Sequence, residues 1–287
     1  MDQKCAPGKT FTEGSCFTLE DLKEIATKYN DSYTDKIEIE SLTSKKDLLK
    51  ALIPRFKKQF DCNDQICWLT KAPVKAVGED VTKYTFRPKG PNKQFEWLST
   101  EDIESVMKQY EKVHTNFKFL GAIPSDFDEL PIYETTDLEF AELEKTTPIL
   151  GAIINLDTHD QSGSHWVALY ANLKTNSIYY FDSFRKQPQN RVRKFITRLL
   201  GYMTTKKQDT KLDVEKFLKR YKKSDDYDIR YNKVQHQYKN SECGVYSLNF
   251  IIRLLEGEKF NRIVNNITND ETMNKYRQYI FRNANFD

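Results

Sequence analysis

The stretch "QHQYKNSECGVYSLNFIIRLL", residues 235–255, changes character at Cys243 and Gly244. A polar run ends there and an apolar, helix-patterned run begins at once, so the cysteine stands where a helix starts. A thiol attacks only as the thiolate, and a helix N-terminus beside a histidine favours that form. Gly244, without a Cβ, would let a substrate backbone approach closely. The bland alternative is a buried structural cysteine, the usual state of that residue. The polar approach and the abrupt helix start favour chemistry.

A nucleophile needs a base, and the chain has four histidines, His114, His159, His165 and His236. His165 opens the alternating strand "HWVALYANL". "KTNS" is turn chemistry, and "IYYFDSF" reads as the return strand of a hairpin, with Asp182 at its end. If the turn holds an even number of residues, Asp182 faces the same side as His165, Val167 and Leu169. Cross-strand neighbours on one face lie about 5 Å apart, diagonal ones about 7–8 Å. An aspartate so placed orients the imidazole and stabilises its charged form. Gln237, upstream of the cysteine, offers an amide that can join the Cys243 backbone N–H in holding an oxyanion. Alone, each of these residues reads as ordinary surface or loop chemistry. Together they are specific.

The bulk properties fit a folded protein. The 287 residues are 38% apolar, 30% charged and 13% aromatic, enough for a large core in one or two domains. With 45 basic against 42 acidic residues, the net charge of +3 is too small to argue for nucleic acid. No run of about 18 apolar residues could span a membrane, and the N-terminus "MDQKCAPGKTFTEGS" lacks a secretory apolar stretch. A cytosolic chain with reduced thiols is the expectation, and an odd number of cysteines, five, agrees with it.

Outward from the site, the first part reads as helical. Thr18 caps "LEDLKEIATKY", with Leu19, Leu22 and Ile25 on one face, and "SKKDLLKALI" predicts a helix that stops near Pro54. Pro88, Gly90 and Pro91 in "FRPKGPNKQF" mark a linker, so residues 1–86 are expected to form a helical arm and 87–287 the catalytic core. "STEDIESVMKQYEKV" reads as a capped amphipathic helix, "ILGAIINL" as a buried strand and "NRVRKFITRLLGYM" as a helix. "TKLDVEKFLKRYKK" is a basic helix, "YDIRYNKV" a strand, and Thr268 with Glu271 a capping box for the last helix. A hairpin-containing sheet flanked by helices is an α+β layout.

"HW", then "FDS", then a glutamine shortly before "ECGVYSLNF" resembles the SUMO-protease and adenovirus-protease superfamily of cysteine proteases. That superfamily uses His, Asp or Asn, Gln and Cys in this chain order, a rearrangement of the papain site. Within it, the chain resembles one branch more closely: the polyprotein-processing proteases of large cytoplasmic DNA viruses, such as African swine fever virus. That likeness reaches into "CWLTKAPVKA", "FRPKGPN" and "ITNDETMNKYRQYIFR". The resemblance implies a papain-like α+β core in which His165 is the base, Asp182 its orienter, Gln237 the oxyanion donor and Cys243 the nucleophile. The viral branch can carry asparagine where this chain has Asp182. Asn240 is a second candidate donor, and Trp166 resembles the tryptophan that roofs a narrow tunnel, although core packing would also explain it. The resemblance further implies cleavage after Gly-Gly in a viral core polyprotein during particle maturation, in the host cytoplasm and the virion, with no cofactor.

Two other readings stand beside this one. The same chemistry serves an isopeptidase that removes ubiquitin-like modifiers, and a silent binding module would keep the fold without the reaction. Cys5, Cys16, Cys62 and Cys67 are spaced poorly for zinc. The loop "LDTHDQSGSH" packs Asp157, His159, Asp160 and His165 as a metal loop would, but reads more simply as the lead-in to the strand. The basic segment around "KFLKRYKK" allows a weak nucleic-acid contact, without a base-reading motif.

Overall fold

The computed structural model describes residues 4–133, 135, 137–208, 216 and 220–284. The chain divides into two compact units. One runs to Lys89 and takes in Gln278–Asn283; the other runs Gly90–Arg277 and takes in Ala284.

The first unit is helical: α1 (Leu19–Ser32), α2 (Lys45–Phe60), α3 (Gln65–Trp68), α4 (Ala72–Lys75) and α5 (Glu79–Tyr84). Thr18 caps α1 in a reciprocal box with Asp21. Its buried face is Leu22, Ile25, Ala26 and Tyr29. Helix α2 does not stop at Pro54 as its sequence suggested; it runs on to Phe60. Pro54 faces solvent, whereas Leu48, Leu49, Leu52 and Phe56 are buried. Phe56 stacks on Trp68 at 4.4 Å, and this packing offsets the roughly 3 kcal/mol that an interior proline costs.

Two disulfides, Cys5–Cys16 and Cys62–Cys67, tie this unit, and Cys243 is the free cysteine. The expectation of reduced thiols throughout is therefore corrected. Even spacing rules miss such pairs, because the partners meet only when the chain has folded.

The second unit holds α6 (Thr100–Val113), β1 (Phe117–Ile123), α7 (Phe140–Thr146), β2 (Ile149–Asn155), β3 (Trp166–Asn172), β4 (Ser177–Phe181), α8 (Asn190–Lys206), β5 (Asp228–Tyr231), α9 (Cys243–Leu255), α10 (Phe260–Asn265) and the start of α11 (Asp270–Ile280). The sheet order is β1-β2-β3-β4-β5. The outer pairs β1–β2 and β4–β5 are parallel, and the inner pairs are antiparallel. Sequence patterning left β1 unassigned and placed the last helix's cap on Thr268. Asn269 is the capping residue instead: its side chain accepts from the Thr272 N–H at 2.9 Å. The basic helix expected over 210–223 lies largely outside the described residues.

Alternation along the strands splits the sheet into two faces. Leu150, Ala152 and Ile154 of β2, Val167, Leu169 and Ala171 of β3, and Ile178 and Tyr180 of β4 pack with Val192, Phe195, Ile196, Leu199, Leu200 and Met203 of α8. The other face carries α9, whose Phe250 stacks on Phe181 at 4.8 Å. Gly151 belongs to this face, and a Cβ there would sit 2.8 Å from the Phe117 ring. Helix, sheet and helix thus form three layers, with α9 anchored on β3 by the Ser247 hydroxyl donating to the Trp166 carbonyl at 3.2 Å. Among the described residues no helix is long and apolar enough to cross a membrane.

Candidate active site

The β3–β4 hairpin turns through four residues, Leu173–Asn176, with Asn172 paired to Ser177. The count is even, so the parity condition holds. Continued past Ala168↔Phe181, the register sets Asp182 opposite Val167 and diagonal to His165. Both residues lie just beyond the strand ends, and His165 Nε2 donates to Asp182 Oδ1 at 2.8 Å. His165 is 8% exposed and Asp182 is fully buried. Phe184, which the same register sets opposite His165, packs on its ring at 4.8 Å.

Asp182 is held on both sides. Its backbone N–H donates to Asn232 Oδ1 at 2.9 Å, and Asn232 Nδ2 returns a bond to its carbonyl at 2.7 Å. The Phe184 N–H also donates to Asp182 Oδ1, at 2.8 Å. The carboxylate is thereby fixed before it meets the imidazole.

With Nε2 engaged, Nδ1 is the ring nitrogen left free, and Cys243 lies near enough to act on the imidazole's pKa. Burial works to lower the His165 pKa. The bond that His165 donates to Asp182, the neighbouring Cys243 and their negative charges outweigh it and raise the pKa to about 9. The imidazole is thus held as the cation through neutral pH, the form that pairs with a thiolate. Cys243 is 3% exposed and opens α9. The first α9 backbone bond runs from the Tyr246 N–H to the Glu242 carbonyl. The amides of Cys243, Gly244 and Val245 therefore point out of the helix's positive end.

Gln237 is fully buried. Its Oε1 accepts from the Ser183 hydroxyl at 2.6 Å, and its Nε2 donates to the Lys239 carbonyl at 2.6 Å. The backbone amides of His236 and Gln237 both donate to the Ser183 carbonyl. These bonds orient the side-chain amide with its nitrogen as donor, and leave one N–H for another acceptor. Ser183 follows Asp182 directly, so the glutamine is tied to the same corner of the sheet as the His–Asp pair.

The remaining candidates divide. Trp166 is 6% exposed, its Nε1 donates to the Leu98 carbonyl at 2.9 Å, and it walls a cleft of about 440 Å³ shared with Trp97, Tyr133, Asp157 and His159. Asn240 is exposed on the loop. Gly244 differs from the expectation that it leaves room for substrate: a Cβ there would meet the Leu98 side chain at 3.1 Å, so the space is already filled by the protein. The suspected metal loop does not converge. His159 pairs with Asp126 at 2.7 Å, Asp157 accepts from Ser164, and Asp160 accepts from Thr158. Among the described residues no group of three or more His, Cys, Asp or Glu side chains is arranged to hold a metal.

Sequence reasoning missed the supports. Asn232, Ser183 and Phe184 hold the imidazole's surroundings, while Asp270 Oδ2 accepts from the amides of Tyr238 and Lys239 and steadies the loop before Cys243. Only Ser183 and Phe184, inside "FDSF", and Glu242, inside "ECG", stood next to motif residues.

Comparison with known proteins identifies the family. The family described as the Ulp1 protease family, C-terminal catalytic domain, matches residues 136–285. A protein of Acanthamoeba polyphaga mimivirus that carries a thiol-protease name is 36% identical, over 97% of this chain and 93% of its own length. A protein of African swine fever virus named as a SUMO-1 cysteine protease is 24% identical, over 79% of this chain and 86% of its own. The crystal structure of the African swine fever virus protease has the same fold, with a TM-score of 0.59 at 22% identity, over 85% of this chain and 95% of that one. The chain belongs to the Ulp1 protease family and is a viral cysteine protease.

Proposed function

We propose that this protease cleaves after Gly-Gly in a viral structural polyprotein during virion maturation, with Cys243, His165, Asp182 and Gln237 as its working residues. The observation that carries the reading is the buried His165–Asp182 bond at 2.8 Å, which leaves the other ring nitrogen open with the free Cys243 near enough to act on the ring's pKa. The Cys243 proton already rests on His165, and the thiolate of this pair attacks the scissile carbonyl. The remaining Gln237 N–H and the Cys243 amide hold the oxyanion. As the tetrahedral centre collapses, His165 passes its proton to the leaving amine. Water, deprotonated by His165, then releases the acid and restores the thiolate–imidazolium pair. Asp182 keeps the ring in place and offsets its charge.

The cleft beside Trp166 supports the Gly-Gly preference. Trp166, next to His165 in the chain, lines this cleft with Trp97, and aromatic walls offer a flat surface to a slim backbone such as glycine's. The two disulfides favour an oxidising location for the finished protein, so the virion rather than the reducing cytosol is its expected place. One observation favours a second substrate class: a relative's name refers to SUMO-1. Ubiquitin-like modifiers therefore stay in the test as substrates of an isopeptidase.

The experiment is incubation with candidate core polyproteins and with modifier conjugates, followed by N-terminal sequencing of the products. New termini directly after Gly-Gly in the polyprotein are expected, together with labelling of Cys243 by a thiol-reactive Gly-Gly peptide. Turnover confined to modifier conjugates would move the reading to the isopeptidase. Wild-type turnover by Cys243→Ala would remove the nucleophile assignment.

A further inference from the structure

Glu242, the residue before the nucleophile, carries a charge that the reaction above does not use. It is 1% exposed, and its carboxylate is held from three directions. Arg277 Nε donates to Oε2 at 3.0 Å, and Asn274 Nδ2 and the Ser241 hydroxyl each donate to Oε1 at 2.9 Å. Arg277 is also 1% exposed, and its Nη2 donates to the Ser241 carbonyl at 3.1 Å. Asn274 is fixed in turn by a reciprocal pair of bonds with Gln94. Both residues preceding Cys243 are thus gripped from α11.

A fully buried ion pair is a poor source of stability, because desolvating two charges offsets their attraction. Apolar side chains of similar volume would fill the space at least as well. The position of this pair, one residue from the thiol, gives it a different use. Resting on the reading of Cys243 as nucleophile, we propose that Glu242 and Arg277 are positioning residues. They fix the peptide plane that carries the Cys243 amide, and each cancels the other's field at the reacting sulfur.

The peptide between Glu242 and Cys243 is planar, so anchoring the Glu242 side chain and the Ser241 carbonyl sets the direction of the Cys243 N–H. The electrostatic half comes from sign. A lone buried carboxylate beside the sulfur would disfavour the thiolate, and a lone guanidinium would favour it. Over-stabilised thiolates are also weaker nucleophiles. The other charged or titrating groups facing this corner are His165 and Asp182 from the sheet, His236 from the loop, Tyr246 on α9 and Asp270 on α11. Burial, then Asp270 and Glu242, push the Tyr246 hydroxyl well up, so it stays neutral. Asp270 is occupied by the Tyr238 and Lys239 amides. Burial pulls the His236 pKa down, and His165 is the imidazole that bears on Cys243.

The test reads the acid limb of the pH profile, as kcat/KM on a short Gly-Gly peptide and as the iodoacetamide alkylation rate of Cys243, which needs no turnover. Glu242→Gln keeps the shape and leaves Arg277 charged. Its limb should move to lower pH by about one unit, with kcat down on the order of tenfold and KM unchanged. Arg277→Met, which leaves the carboxylate unpaired, should move the limb the other way, so either single variant that folds decides the matter. Combining the two changes should return the limb to its wild-type place. A merely structural brace would lower Tm and leave every limb unmoved, which overturns the proposal, as does a double variant that keeps the displaced limb. Turnover by Cys243→Ala would instead fell the underlying nucleophile reading.

Discussion

Asp182→Asn separates orientation from charge at the centre of the site. Oδ1 of Asp182 accepts from both His165 Nε2 and the Phe184 N–H, each at 2.8 Å. An asparagine must therefore place its oxygen there, because its NH2 would face two donors. The ring orientation survives and the charge is lost. Hydrogen bonds to an ionised partner are worth about 1.5–3 kcal/mol and neutral ones about 0.5–1.5, so the expected loss is about 1–1.5 kcal/mol. That is about one pH unit of His165 affinity for its proton. The alkaline limb of kcat/KM should fall by about one unit from its wild-type position near pH 9. Turnover should drop about five- to thirteenfold, less than for His165→Ala.

Stability gives an independent reading of the same variant. His165 titrates at about 9 when folded against 6.5 for the free side chain, so its contribution is complete below pH 6.5 and is lost as pH rises through about 9. The Tm gap between wild type and Asp182→Asn should therefore be widest below pH 6.5 and narrow toward pH 9. Oδ2 of Asp182 has no hydrogen-bond partner among the described residues. The new amide nitrogen in that place adds a penalty of about 1–3 kcal/mol that does not vary with pH. A peptide-hydrolysis pH series and matched thermal melts supply the data. An alkaline limb that stays put would refute the reasoning, and a folded but dead variant would mean that charge alone is what Asp182 supplies.

Gln237→Ala should lower kcat by about 10²–10³ while leaving measurable activity, since one oxyanion donor is removed and the Cys243 amide remains; equal effects for Gln237→Ala and His165→Ala in steady-state assays would contradict their roles. Replacing Cys5 and Cys16 together by serine should cost up to roughly 3 kcal/mol in the first unit, seen as a lower melting transition for that unit; an unchanged melt would mean that the crosslink constrains little. Gly151→Ala should destabilise by about 1–3 kcal/mol, because the added methyl falls 2.8 Å from the Phe117 ring; denaturant titration checks it, and a neutral result would mean that Phe117 gives way easily.

The sequence by itself determined the features that local period and local chemistry set. Helix starts at Thr18, Ser99 and Cys243 and the hairpin built on "HWVALY" and "IYYF" could be read from spacing, because a period of two or of 3.6 is a local property; the His, Asp, Gln, Cys order was recognised through the resemblance to a known superfamily. The even four-residue turn is local too, and it is enough to carry Asp182 to the side of His165. Tertiary structure decided the rest. Whether α2 survives Pro54 depends on Phe56 finding Trp68, and whether Cys5 meets Cys16 depends on how the first unit packs. What fills the space at Gly244 depends on Leu98, remote in sequence. The grip of Arg277 and Asn274 on Glu242 joins residues more than thirty positions apart, and no short pattern announces it. Such contacts are set by the geometry of burial: desolvated polar atoms must find partners wherever the fold brings them, and the chain records only the residue types.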